Sequence, residues 1–234
     1  MPESRTLPAA LLVLTFSTGI IDAVSVLGLG QVFTANMTGN VVFLGFAAAG
    51  EGSFSVPRGL TAILAFLGGA VLGGRLGASW SATALGARER GLALAALLEA
   101  ALLGAAAWQA VGYDPAALAP TGRLHAILVL CALAMGLRNA TVRHLGVPDL
   151  TTTVLTLTLT GLGADSGSAG GDGVRWARRA AAVALMATGA VSGALLVQRG
   201  GLVQPLLAAG ALAVLAAGTA AWGARAVLAP MTHR

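Results

Sequence analysis

The residues best suited to chemistry lie in two polar stretches set inside apolar sequence. The first, Phe33-Thr34-Ala35-Asn36-Met37-Thr38-Gly39-Asn40, separates the apolar segments Leu7–Leu27 and Val41–Ala49. The second, Leu150-Thr151-Thr152-Thr153, is preceded by Arg138-Asn139-Ala140. Amides and hydroxyls donate and accept hydrogen bonds but supply neither a nucleophile–base pair nor a metal cage. The chemistry they suit is recognition of a small polar or anionic solute. Asn36, Thr38, Gly39 and Asn40 form one candidate half-site, and Asn139, Thr151, Thr152 and Thr153 the other. Asn36, Thr38 and Asn40 could instead cap a helix, although capping accounts for one such residue more readily than for a cluster with a counterpart.

Three charges belong with these stretches. Asp22 lies late in the first apolar segment, and Arg138 and Asn139 occupy the equivalent place in the fifth. An unpaired charge in lipid costs several kcal/mol, so Asp22 and Arg138 are expected to pair, as structural glue or as a gate. Glu99 falls in mid-segment, in Leu97-Leu98-Glu99-Ala100-Ala101. It is a candidate proton carrier, or a helix contact to an arginine such as Arg75. Cys131 sits alone in an apolar run, and His125 and His144 are too isolated for a metal site. With no phosphate loop or zinc signature, neither an enzyme nor a cofactor is expected.

These groups must be positioned by membrane helices. Of the 234 residues, 56% are hydrophobic and 10% charged, with a mean hydropathy of +0.83. Soluble domains carry about 25% charged residues, so most of this surface must face lipid. The net charge of +5 comes from arginines scattered at segment ends. That pattern suits topology signals and anionic headgroups, and it argues against nucleic acid. The N-terminal apolar run contains Asp22 and no clear cleavage site, so it is expected to remain as a span. Eight apolar segments follow one another, at about 7–28, 34–50, 59–79, 91–111, 119–137, 150–162, 178–198 and 202–222. A helix crossing the hydrocarbon needs roughly 20 residues. The second and sixth segments are short and open with the polar stretches.

The segments also repeat. Asp22-Ala23 and Asn139-Ala140, Arg58 and Arg178, and Trp108 and Trp222 correspond at offsets of 117, 120 and 114 residues. The reading is an all-α polytopic protein of two repeats, 1–117 and 118–234, in one membrane domain. Either all eight segments cross, as 4+4, or segments two and six are re-entrant half-helices and six cross, as an inverted 3+3. In the six-crossing case one face takes Arg5, Arg75, Arg88, Arg90, Arg138, Arg143, Arg175, Arg178, Arg179, Arg225 and Arg234, against Arg58, Arg123 and Arg199 on the other. That bias favours six crossings with both termini in the cytoplasm. Val41–Ala49 as a half-helix would be about 13 Å long, its N-terminal N–H groups gathered near Thr38-Gly39-Asn40. Broken segments in matching positions of two repeats point to a transporter's binding site, where the two half-helix ends would face one another.

Gly69, Gly73 and Gly77, with Gly189 and Gly193, form small-residue faces for helix packing or for a homo-oligomer. Trp80, Trp108, Trp176 and Trp222 stand at segment ends as interfacial anchors. The Gly163–Gly173 run reads as a flexible loop, and Thr156, Thr158 and Thr160 as structural filling.

Gly19-Ile20-Ile21-Asp22-Ala23, Ala35-Asn36-Met37-Thr38-Gly39-Asn40, Gly136-Leu137-Arg138-Asn139-Ala140 and Val147-Pro148-Asp149-Leu150-Thr151-Thr152-Thr153 resemble the YoaK-like family of bacterial multi-pass membrane proteins. The resemblance spans nearly the whole chain. It implies a location in the bacterial cytoplasmic membrane and brings no established substrate, cofactor or catalytic residue. Many members carry glutamine or a similar polar residue where Arg138 stands. A permease for a small solute, a non-transporting scaffold or partner subunit, and a membrane-embedded enzyme using Glu99 or Asp22 remain the open functional classes.

Overall fold

The structure is a computed structural model and describes residues 6–79, 86–147, 150, 152–153, 155–171 and 173–228. Of the candidate site residues, Thr151 lies outside the described residues, as does Trp80. Eight α-helices follow in order: α1 Thr6–Gly28, α2 Met37–Ala48, α3 Val56–Ser79, α4 Ala87–Gln109, α5 Thr121–Leu145, α6 Thr156–Ala164, α7 Trp176–Gly200 and α8 Val203–Leu228. Six of them, all but α2 and α6, are long and apolar enough to cross a membrane. At 1.5 Å per residue the 12 residues of α2 reach about 18 Å, well short of a hydrocarbon core of about 30 Å. The protein is an all-α polytopic membrane protein.

Side chains such as Leu64, Leu67 and Val71 on α3 and Val191 and Leu195 on α7 are exposed and apolar. In a membrane helix this is the surface that contacts lipid tails. Trp108, Trp176 and Trp222 are exposed as well.

Close approaches define how the long helices run. A Cβ on Gly69 would collide with the Leu133 carbonyl, one on Gly73 with Leu137, and one on Gly77 with His144, so α3 and α5 are parallel. On the other side Gly189 abuts the Phe16 carbonyl and Gly193 abuts Ile20, so α1 and α7 are parallel too. The glycine faces are therefore occupied within the chain, and an oligomer through them has no free surface to use. α8 runs antiparallel to α1, because Gly223 meets Thr6 while Leu202 meets Gly28. It is also antiparallel to α4, with Gly86 beside Ala224 and Gly210 beside Ala100. Arg138–Glu99 and Arg88–Leu145 contacts make α4 and α5 antiparallel. The six long helices thus alternate in direction along the chain, without counting α2 or α6. α2 packs on α3 and α6 on α7.

Apolar residues fill the bundle in two clusters. One, toward the α2 end, includes Ile20, Val24, Leu103, Ile127, Cys131 and Leu206. The other, toward the α6 end, includes Leu11, Leu14, Leu92, Ala96, Leu145 and Ala213. Cys131 is fully buried as a small hydrophobe.

Two boundaries differ from expectation. The fifth helix does not stop at residue 137 but runs through Arg138 and Asn139 to Leu145, because Arg138 finds an internal partner and need not leave the bundle. The arginine bias loses one member accordingly: Arg138 faces the interior and neither end. α6 starts only at Thr156, with Thr152 and Thr153 in the preceding loop. The alternating threonines there are helical, and the Thr160 hydroxyl donates to the Thr156 carbonyl at 2.9 Å.

Candidate functional site

Between the two apolar clusters lies a polar layer. Arg138 on α5 is 2% exposed, and Glu99 on α4 is 1% exposed. Arg138 Nε donates to Glu99 Oε2 at 2.8 Å, and Nη2 forms a second, shorter contact with Oε1. Nη1 donates to the Leu14 carbonyl at 2.8 Å and to the Thr18 hydroxyl at 2.7 Å, and Nη2 also donates to Ser17 Oγ at 3.1 Å. The Thr18 hydroxyl in turn donates to the Leu14 carbonyl. A guanidinium has five N–H groups in a fixed fork, and five acceptors surround this one. The layer ties α1, α4 and α5 together and has no donor to spare for a solute.

This corrects the expected charge pair. The direct partner of Arg138 is Glu99 and not Asp22, and the arginine that Glu99 contacts is Arg138 and not Arg75. Glu99 reaches Arg138 because each lies mid-helix on facing antiparallel helices. Asp22 lies one turn beyond Thr18 on the same face of α1. Its Oδ1 is buried and has no hydrogen-bond partner in the protein.

The first polar stretch folds on itself. Asn40, fully buried in the first turn of α2, accepts from the Phe33 N–H at 2.8 Å and donates to the Phe33 carbonyl at 2.6 Å. One amide therefore satisfies both backbone groups of a residue that precedes the helix. Gly39 makes room for this turn, since a Cβ there would strike the Phe33 ring. Asn36 occupies the N-cap position, but no side chain caps the helix, and Thr38 is exposed. Thr34 is buried, and its hydroxyl has no partner.

In the second stretch the Thr153 hydroxyl donates to Asn139 Oδ1, while Asn139 Nδ2 donates to the Met135 carbonyl at 2.9 Å. Thr152 is buried, has an unpartnered hydroxyl and adopts φ 61°. The left-handed region is costly for a β-branched residue. The two stretches do not form one cradle. They lie toward opposite ends of the bundle, with the Arg138 layer between them.

An open groove of about 520 Å³ adjoins the first stretch, lined by residues that include Val26, Gln31, Phe33, Phe43, Phe54 and Leu118. Phe33, Phe43 and Phe54 stack in series at 5.8 and 4.5 Å between ring centroids. Gln31 and Leu118 have φ values of 56° and 52°. Arg58 borders a smaller pocket beside it, and its Nε is buried without a partner. Nearby, the Tyr113 hydroxyl donates to the Gly28 carbonyl at 2.9 Å and joins the ends of α1 and α4. Burial pushes the Tyr113 hydroxyl up to about 12, with the Arg58 charge opposing that rise and Asp114 adding to it.

A family model described as protein of unknown function (DUF1275) matches residues 10–218. The chain belongs to the DUF1275 family. A relative, the UPF0700 transmembrane protein YoaK of Bacillus subtilis (strain 168), is 31% identical over 150 residues, 64% of this chain and 62% of that protein. The chain thus spans less than two thirds of that relative's length. No solved structure matches. The transmembrane description of the relative agrees with six helices long and apolar enough to cross a membrane.

In this DUF1275 chain the site draws on residues that sequence reasoning passed over. Ser17 and Thr18 were readable as polar residues one turn before Asp22. Gln31 and Arg58 gave no signal of their own, because they join the site only through the packing of α2 against α3.

Proposed function

We propose that the protein is a permease of the bacterial cytoplasmic membrane that moves a small polar solute between two polar breaks, one toward each end of the bundle. The observation that carries this reading is where unsatisfied groups gather. Among the described residues, the buried side-chain atoms without a hydrogen-bond partner are Asp22 Oδ1, Thr34 Oγ1, Arg58 Nε and Thr152 Oγ1. Each such atom costs about 1–3 kcal/mol and calls for a reason. Thr34 and Thr152 lie in the two breaks, Arg58 borders the pocket beside the groove, and Asp22 lies one helical turn from the groove-lining Val26. Among the described residues the non-glycine positions with positive φ are Gln31 and Leu118, which line the groove, and Thr152 in the second break. Strained backbone and unpaired polar atoms together mark sites kept for a ligand. On this reading Arg138 does not hold the solute, since its donors are already engaged.

The architecture under this proposal is an inverted pair of repeats with α2 and α6 re-entrant and both termini cytoplasmic. It is supported by the alternating directions of the six long helices. It is supported also by the equivalence of the α3–α5 contacts around Gly69 to the α1–α7 contacts around Gly189. Arginine placement, leaving Arg138 aside, still favours one face.

The test is stopped-flow light scattering of proteoliposomes challenged in turn with urea, glycerol and sodium chloride. Vesicles holding the protein should re-swell faster than protein-free vesicles for urea or glycerol but not for sodium chloride. Thr34→Val should change that rate without lowering the unfolding temperature. Rates equal to those of empty vesicles for both neutral solutes would overturn the proposal.

A further inference from the structure

We infer that Asp22 is a proton-binding site lying on the solute path, so that solute movement is coupled to protons. The inference rests on the permease reading and on the correspondence of the two repeats. Its starting point is the charge count of the interior. Arg138 and Glu99 neutralise one another through two contacts, which leaves the Asp22 carboxylate as the surplus charge beside the polar layer. One of its oxygens is shielded from solvent and receives no hydrogen bond.

The surroundings decide what can bind there. From α5, Arg138 faces Asp22, with Glu99 of α4 beyond it. On α7 there is no ionisable residue between Arg179 and Arg199, and on α8 none between Val203 and Ala224. α2 carries none; at the α2 end Arg58, Tyr113 and Asp114 lie near the groove, with Arg123 beside Gly112 and Glu51 next to Phe54. The neighbouring Thr18 hydroxyl is engaged with Arg138 and Leu14. A metal cation needs several oxygen ligands at once, whereas a proton needs one lone pair. An isolated carboxylate in a membrane interior is suited to the proton. Val26, one turn further along α1, lines the groove, so the carboxyl lies one helical turn from an opening.

The second repeat shows what the protonated form would resemble. Asn139 holds the place corresponding to Asp22, and its amide both donates and accepts, to Met135 and from Thr153. A carboxylic acid has nearly the shape of that amide and likewise one donor end. A carboxylate can only accept. Proton uptake (COO⁻ + H⁺ → COOH) would therefore give the Asp22 position the bonding capacity that the Asn139 position has permanently.

Two measurements test this. In the first, infrared spectra of the protein in lipid are recorded over a series of pH values. Wild type should show a protonated-carboxyl band that fades as pH rises and is missing from Asp22→Asn. No titrating band, or one unchanged by the substitution, would overturn the assignment. In the second, urea and glycerol flux is measured with and without an inward acid gradient. The gradient should accelerate wild type at least about threefold and leave Asp22→Asn unaffected. Flux that responds equally in both proteins would sink the coupling while leaving the permease reading intact. Absence of flux alongside a titrating Asp22 band would remove the permease reading and keep the proton site.

Discussion

Arg138 commits all of its hydrogen-bonding capacity to the bundle interior, and this makes Glu99 the residue on which the polar layer depends. Removing the carboxylate strands a buried guanidinium, and breaking a buried pair from one side costs about 3–5 kcal/mol. Glu99→Ala should therefore lower the unfolding temperature in detergent strongly, and the double change Glu99→Ala with Arg138→Met should recover most of the loss. No recovery would mean that the layer is held by something other than the pair. Asn40 makes a comparable prediction through neutral groups. Asn40→Ala leaves the Phe33 N–H and C=O without their partner, a loss of about 2–3 kcal/mol. Tyr113 is the single tyrosine, so tyrosinate absorbance reports it alone. Its folded value of about 12 stands above the ordinary value of about 10. The folded protein therefore holds this proton more tightly than the unfolded chain does. The associated stability is complete below about pH 10 and is lost as pH rises toward 12. An alkaline titration should show tyrosinate appearing late in the folded protein and near the ordinary value once it is unfolded. Early ionisation in the folded state would contradict the buried hydroxyl contact with Gly28.

At the scale of elements, helix pairs are held by glycines set against backbone. Gly69 lies against the Leu133 carbonyl and Gly136 against that of Phe66, and these contacts join α3 to α5 without room for a side chain. Gly69→Val should cost at least about 2 kcal/mol, while Gly74→Val, with open space around it, should cost much less. Equal effects would show that the close approach is not what holds the pair. The elements were largely legible in the sequence, because apolar length and the Gly-xxx-Gly spacing report directly on membrane helices. The short second and sixth segments could be read in the same way. Depth and partner choice could not. Glu99 and Arg138 meet because antiparallel α4 and α5 bring their middle turns level, and nothing in either local sequence encodes that register. The same ignorance placed the end of α5 too early, since an arginine in an apolar run looks like a terminus until its partner is known. The two polar stretches stood out in the sequence, but how they sit relative to one another did not. Each break closes on its own neighbours, through Asn40 and Phe33 or through Asn139 and Thr153, and this depends on loop geometry.

For the whole molecule the proposed permease depends on one arrangement, in which α2 and α6 turn back within the bundle from opposite ends with the Arg138 layer between the two breaks. A path with one polar break toward each end requires it. The most direct measurement is labelling of single cysteines at Gln31, Ser53 and Ser168, in a protein carrying Cys131→Ala, with a membrane-impermeant thiol reagent. Gln31, Ser53 and Ser168 are exposed, so the reagent has access wherever the topology allows it. The account predicts that Gln31 and Ser53 label in intact cells, while Ser168 labels only once the membrane is permeabilised. Labelling of Gln31 and Ser53 from opposite sides would mean that α2 crosses, and the inverted arrangement would be wrong.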